Sequence, residues 1–267
     1  MKHKDFSMGR FYHADCFEAM RELRAHSVDM ILCDLPYGTT QNKWDSVLPL
    51  ERLWAEYWRV AKPNAAVVLT AQAPFDKLLG ASCLRHLKYE WIWEKFQGTG
   101  HLNAKKQPMK CHENVLVFYQ EQCIYVPQMV EGKPYTQASG RASTNYGAQV
   151  SVVTENKGER YPRSVIKIAH DKNTKIHPTQ KPVALFEYLI KTYTNEGALV
   201  LDNTAGSGTT AIAAINTNRY WICVDADETY YNKAVERIKD HISQRSSDRQ
   251  TKAKSSGLSR DGQEAAR

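Results

Sequence analysis

Three short runs, VDMILC (28–33), GALVLD (197–202) and RYWICVD (219–225), are almost continuously apolar, and Asp34, Asp202 and Asp225 follow or close them. A strand with no polar face must be covered on both sides, which helices crossing over a parallel sheet provide. The segments between them have helical spacing: LERLWAEYWRVA (50–61), PFDKLLGASCLRHL (74–87), KPVALFEYLIKTY (181–193), AIAAINTN (211–218) and ETYYNKAVERIKDHI (228–242). Further strands are predicted at 10–16, 65–71, 89–95 and 114–120. Alternation of this kind predicts an α/β fold, a doubly wound and mostly parallel sheet.

Between residues 121 and 174 the periodicity dissolves into Gly, Pro, Ser and scattered Tyr. A long irregular insertion in a compact domain is usually functional. The domain plan is therefore a catalytic domain from 1–120 and 175–242, a target-reading insertion at 121–174, and a tail at 243–267. The tail holds six Lys/Arg against three Asp/Glu and almost no large apolar residue, so it is expected to be disordered or at most a frayed helix extension. The net charge of +7 has two further local sources: residues 95–112 carry four Lys and no acid, and 157–181 carry seven Lys/Arg against two acids. Two basic segments on an otherwise balanced chain suggest a polyanionic partner. The N-terminus lacks a signal-like apolar stretch and no run could span a bilayer, so a cytoplasmic location is expected. Six scattered cysteines without a C-x-x-C pair suggest neither disulfides nor zinc.

In open α/β sheets ligands sit beyond the carboxyl ends of strands where the topology reverses. Two such loops carry unusual chemistry: Asp34-Leu35-Pro36-Tyr37, and Asp202-Asn203-Thr204-Ala205-Gly206-Ser207-Gly208-Thr209-Thr210. The second has glycines that admit close backbone approach, but it lacks both the third glycine of a dinucleotide loop and the lysine of a P-loop. A different nucleoside ligand remains, and Asp225 ends the next strand where a carboxylate can take both hydroxyls of a ribose.

With these residues in place, the chain resembles the β-group amino methyltransferases that act on DNA. These are S-adenosylmethionine-dependent enzymes with an Asp-Pro-Pro-Tyr type catalytic loop on a Rossmann-like sheet with an antiparallel edge strand. The matching stretches are HADCFEAM, DMILCDLPYG, WRVAKPNAAVVL, WIWEKFQGTG, HENVLVFY, KIHPTQKPVAL, LVLDNTAGSGTT and WICVDADETYYNKAVERI, in the permuted order with the catalytic loop first. Leu35 stands where the family more often has Pro, Asn203-Thr204 where it has Pro-Phe, and Asp225 where Glu is common.

The resemblance implies methyl transfer to the exocyclic N6 of a flipped adenine in double-stranded DNA. Asp34 and the Leu35 carbonyl would accept the amino N–H groups, Tyr37 would stack on the base, and Pro36 would hold the loop. It also implies a cofactor set of Asp15 and Cys16 at the adenine edge, Asp225 at the ribose, and Asp34, Lys181, Asp202, Asn203, Thr204, Gly206, Ser207, Gly208, Thr209 and Thr210 toward the methionine portion. No metal is expected; His177 has no partner ligands at suitable spacing. Lys95, His101, Lys105, Lys106, Lys110, Arg160, Arg163, Lys167 and Lys172 are candidate phosphate contacts. N4 of cytosine is the alternative substrate and a catalytically silent DNA-binding regulator a more distant one. A homodimer and a cognate restriction enzyme are further partners that the resemblance leaves open.

Overall fold

The computed structural model describes residues 1–38, 45–139, 152–171 and 180–264. The chain opens with a hairpin, β1 (Lys2–Phe6) and β2 (Gly9–His13), then α1 (Cys16–Arg21), whose first N–H groups are capped by the Asp15 carboxylate. Next come β3 (Val28–Asp34), α2 (Leu50–Val60), β4 (Ala61–Ala71), α3 (Phe75–Ser82) and β5 (Leu87–Thr99). A single 3₁₀ turn, His101–Asn103, precedes β6 (Lys110–Phe118). The insertion contributes β7 (Val130–Glu131), β8 (Tyr135–Ser139), β9 (Val152–Asn156), β10 (Glu159–Arg160) and β11 (Val165–Lys167). The chain then forms α4 (Val183–Tyr193), β12 (Leu199–Asp202), α5 (Thr209–Asn216), β13 (Tyr220–Asp225) and α6 (Glu228–Glu264).

Nine strands form one sheet in the order β1-β2-β13-β12-β3-β4-β6-β5-β11. β1 is the antiparallel edge strand; β6 is also reversed, but it lies inside the sheet between β4 and β5. The remaining pairings, β2–β13, β13–β12, β12–β3, β3–β4 and β5–β11, are parallel.

β3 shows why its sequence carries no polar face. Met30 and Leu32 pack with α4, α5 and α6 on one side, and Ile31 and Cys33 pack with α1, α2 and α3 on the other. α2 buries Leu53, Trp54, Tyr57 and Val60, the stripe that helical spacing predicts. α5 is buried from Thr209 to Ile215, which its near absence of charge allows.

One segment of the domain plan sits differently in three dimensions. β11 lies within the segment assigned to the insertion, yet it pairs with β5 (Val165↔Ile92, Ile166↔Trp93) and extends the main sheet. The tail continues α6 through Glu264. The packed part of that helix carries Tyr231, Ala234, Val235 and Ile238, and Arg245 donates to the Ile215 carbonyl. Beyond that point the helix extends an element that is already nucleated, which costs far less than starting one. Among the described residues no helix is long and apolar enough to cross a membrane.

Candidate active site

β12 and β3 are neighbours, with Val200 opposite Met30 and Leu201 opposite Ile31. From β3 the chain crosses through α2 to β4 on one side, and from β12 it crosses through α5 to β13 on the other. The crevice where the connections diverge is the ligand position of open α/β sheets. Here it is a cavity of about 540 Å³ that collects Asp15, Cys16, Asp34, Leu35, Pro36, Tyr37, Lys181, Asp202, Asn203, Thr204, Gly206, Ser207, Thr209 and Asp225. The two loops, distant in sequence, are joined directly: the Thr204 hydroxyl donates to the Asp34 main-chain carbonyl at 3.1 Å. Of the expected cofactor residues, Gly208 and Thr210 do not line the cavity and instead build its wall. Gly208 turns into α5 with φ +74°, where an added Cβ would meet Ile238 at 3.1 Å, and the Thr210 hydroxyl donates to Asp202.

Asp34 sits at the end of β3 with its carboxylate loaded on both oxygens. Oδ1 accepts from the Thr70 hydroxyl at 2.5 Å and the Tyr37 hydroxyl at 2.6 Å; Oδ2 accepts from Lys181 Nζ at 2.7 Å. Lys181 Nζ also lies 3.2 Å from Glu113 Oε2, and the other oxygen of Glu113 pairs with Lys95. Two cations and two anions therefore alternate in one row, Lys95–Glu113–Lys181–Asp34, of which the first three are buried and Asp34 is partly exposed. The reversal of β6 makes this possible, because its N-terminal residues lie at the carboxyl ends of β4 and β5, with Glu113 opposite Trp93. Burial works against the charge on Glu113, but Lys181 and Lys95 overcome it and hold the carboxyl below its usual range. Burial likewise disfavours the Lys181 cation, and Asp34, Tyr37 and Glu113 reverse this, so its pKa lies well above the ordinary value. Tyr37, expected to stack on a base, is stacked here on Phe75 (5.4 Å, 25°) with Lys181 Nζ 5.4 Å from its ring centre. The turn that carries it is clamped by Asp45 Oδ1, which accepts the N–H groups of Tyr37 and Gly38 at 2.8 and 2.9 Å.

On the other side of the cavity, Asp202 is buried while accepting the Thr204 N–H at 3.0 Å, and burial pushes its pKa up to about 7. Asp225 accepts from Gly206 N–H at 2.8 Å and Asp227 N–H at 2.9 Å, so it shapes the glycine loop as well as facing the cavity; burial pushes it up to about 6. Asn203 is pinned through its Oδ1, which accepts from Tyr57 at 2.5 Å and from the Cys33 thiol at 2.9 Å. Its Nδ2 is buried with only the weakly accepting Cys16 thiol beside it. A buried donor left in this state costs free energy unless a ligand supplies an acceptor. The residues present thus fit a nucleoside ligand: carboxylates for hydroxyl and cationic groups, one weakly paired donor, and a volume within the ordinary range for small-molecule sites.

Sequence reasoning missed Thr70, Asp45 and Glu113. The signal for Glu113 was the acid in HENVLVFY directly ahead of a strand, informative only once that strand is known to be reversed. Lys95 is corrected: its side chain is buried and paired with Glu113, so it cannot reach a phosphate. Lys110 donates to Gln72 at 3.1 Å, Arg160 to the Lys133 carbonyl, and Lys167 to Glu94 at 2.6 Å. His101, Lys105, Lys106 and Arg163 are exposed. Lys172 and His177 lie outside the described residues.

The sequence profile of the DNA methylase family matches residues 28–236. The type II methyltransferase M.HpaI of Haemophilus parainfluenzae is 28% identical over 254 residues, spanning 86% of this chain and 74% of that protein. The DNA adenine methyltransferase YhdJ of Escherichia coli strain K12 is 26% identical over 246 residues, spanning 85% and 81%. Among solved structures, a complex of M1.HpyAVI with SAM superposes with a TM-score of 0.61 at 24% identity, covering 86% of this chain and 100% of the other. The cytosine-N4-specific PvuII DNA methyltransferase gives 0.62 at 15% identity, covering 88% and 91%. These likenesses carry the fold, and the profile match extends through the Asp34–Tyr37 loop, the row of charges behind it and the glycine loop alike: the chain belongs to the N6/N4 family of DNA methylases.

Proposed function

We propose that this DNA methylase uses S-adenosylmethionine to methylate the exocyclic N6 of an adenine extruded from double-stranded DNA. The observation that carries this reading is a carboxylate, Asp34, that lines a nucleoside-sized cavity and whose main chain is tied to the glycine loop lining the same cavity. The sequence Asp-x-Pro-Tyr at that loop and the 26% identity to an adenine methyltransferase support adenine over cytosine.

An exocyclic amine conjugated to a base ring is a poor nucleophile. Asp34 accepts one of its N–H groups, and the Leu35 carbonyl, next along the loop, accepts the other, which favours a pyramidal nitrogen with an available lone pair. In the structure the Tyr37 hydroxyl occupies Asp34 Oδ1, so an incoming amine takes that place while Thr70 and Lys181 keep the carboxylate oriented. Bound S-adenosylmethionine supplies an electrophilic methyl group on a sulfonium that departs as a neutral thioether, and the methylated nitrogen then sheds its extra proton to solvent. Asp202, Asn203, Thr204, Gly206, Ser207 and Thr209 hold its methionine end, Asp225 its ribose, and Asp15 and Cys16 its adenine edge, with Gly208 and Thr210 supporting the loop. Orientation of this kind supplies about 7–11 kcal/mol of a barrier. The insertion, whose described parts include the small sheets β7–β10 and β8–β9, reads the target sequence.

The test is to incubate unmethylated genomic DNA with the protein and S-adenosylmethionine, digest it and identify the nucleoside. N6-methyladenine is the expected product. N4-methylcytosine alone would replace adenine by cytosine as the substrate, and no methylated nucleoside would point to a silent DNA-binding protein.

Cofactor binding is expected to depend on pH. The folded-state pKa values of Asp202 and Asp225, about 7 and about 6, lie above the unfolded value of 3.8. The stability each contributes is present below 3.8 and lost as pH rises through about 6 to 7. Hydroxyl donors and a cationic ligand favour the ionised forms, so calorimetric affinity should rise at least about tenfold between pH 5 and pH 8. A flat profile would remove both carboxylates from the cofactor site.

A further inference from the structure

We propose that Leu102 is a wedge that enters the duplex and fills the gap left by the extruded base. This rests on the base-extrusion reading above and adds to it the segment that keeps the stack open. β5 points the same way as β3, so its carboxyl end opens on the side of Asp34, and Lys95 and Thr99 near that end line the cavity. The chain then turns at Gly100, with φ +87° and nothing within 4 Å of an added Cβ, into the 3₁₀ turn His101–Asn103. Leu102 is three residues beyond Thr99, within about 11 Å of it along the chain.

Every residue from His101 to Met109 is exposed, and Leu102, at 89%, is the most exposed large apolar side chain among the described residues. Phe96 is also exposed, at 64%, but Lys167 Nζ already lies 5.1 Å over its ring. The apolar tip is flanked by exposed His101, Lys105 and Lys106, with no acid between residues 95 and 112. A partner that matches both features is anionic on its outside and apolar between its layers, which describes a base-stacked duplex. Inserted leucines and other apolar side chains unstack base steps in many DNA complexes. Holding a base outside the helix costs unpairing and unstacking free energy, and a side chain occupying the vacated layer slows its return.

The experiment uses the full chain and two duplexes carrying the recognition site, mapped beforehand by modified-base sequencing. In one the target base is paired, and in the other it faces an abasic position. Leu102→Ala is expected to lower transfer to the paired duplex at least about tenfold and transfer to the abasic duplex less than about twofold, while Leu102→Phe keeps most activity on both. Fluorescence of 2-aminopurine at the target position should fall in Leu102→Ala with the paired duplex. Equal activity of Leu102→Ala and wild type on both duplexes, or equal loss on both, would overturn the wedge. Loss on both together with conversion of a dimer to a monomer in sedimentation would assign the loop to contact between copies. Absence of any modified base in that mapping would instead remove the methyl-transfer reading itself.

Discussion

Asp34→Ala and Asp34→Asn should each lower the turnover of methyl transfer by roughly 10²–10⁴-fold, the range for loss of a group that accepts or moves a proton in the transition state. Asparagine keeps the shape and one acceptor oxygen but presents an NH₂ to Lys181, which now sits 2.7 Å from a carboxylate oxygen. Because Asp34 is proposed to hold the target amine, calorimetric affinity for S-adenosylmethionine should change far less than turnover. The measurement is incorporation of labelled methyl groups into DNA, with cofactor titration of the same preparations. Unchanged incorporation in either variant would remove Asp34 from the chemistry. Loss of cofactor binding in step with turnover would show that its role is to build the cavity.

The second large effect is on stability. Glu113→Gln leaves Lys95 and Lys181 buried on either side of a neutral amide, with only Asp34 to compensate them. Removing one partner from a buried ion pair costs about 3–5 kcal/mol, because the remaining charge stays desolvated. Glu113→Gln should therefore unfold at clearly lower denaturant. The double variant Lys95→Met with Glu113→Gln should recover part of the loss, since it leaves the neutral pair Lys181–Asp34. The pH dependence has a definite sign. Glu113 is held below its ordinary value of 4.5, so the stability it adds is present above that pH and lost as pH falls through the depressed value. The gap between wild type and Glu113→Gln should accordingly narrow on acidification below pH 4.5. A gap that is absent at neutral pH, or that widens in acid, would contradict the row of alternating charges.

The parallel core was legible in the sequence because its strands are buried on both faces, and such strands leave an apolar run that few other structures tolerate. VDMILC and GALVLD were enough to place Asp34 and Asp202 at strand ends, and those ends meet at one cavity. The charges behind Asp34 were not legible. Lys95 and Glu113 lie on neighbouring antiparallel strands, and their partnership depends on the direction of β6, which nothing in NVLVFYQ reveals. In one dimension Lys95 looks like any lysine in a basic loop; its burial is a property of the sheet. The tail was partly legible: composition denies it a core of its own and leaves disorder or a helix extension, and the direction of α6 decides for the extension.

The contact between Cys33 and the Leu201 carbonyl spans 168 residues, so the edge of β3 that receives β12 stays bare while most of the chain is being translated. At 5–20 residues per second, roughly 10–30 s pass on the ribosome between the appearance of one partner and the other. During that time an uncovered, mostly apolar strand is offered to any neighbouring nascent chain. Chaperone occupancy in this interval, more than the stability of the finished enzyme, would then govern how much of it reaches the cell in soluble form.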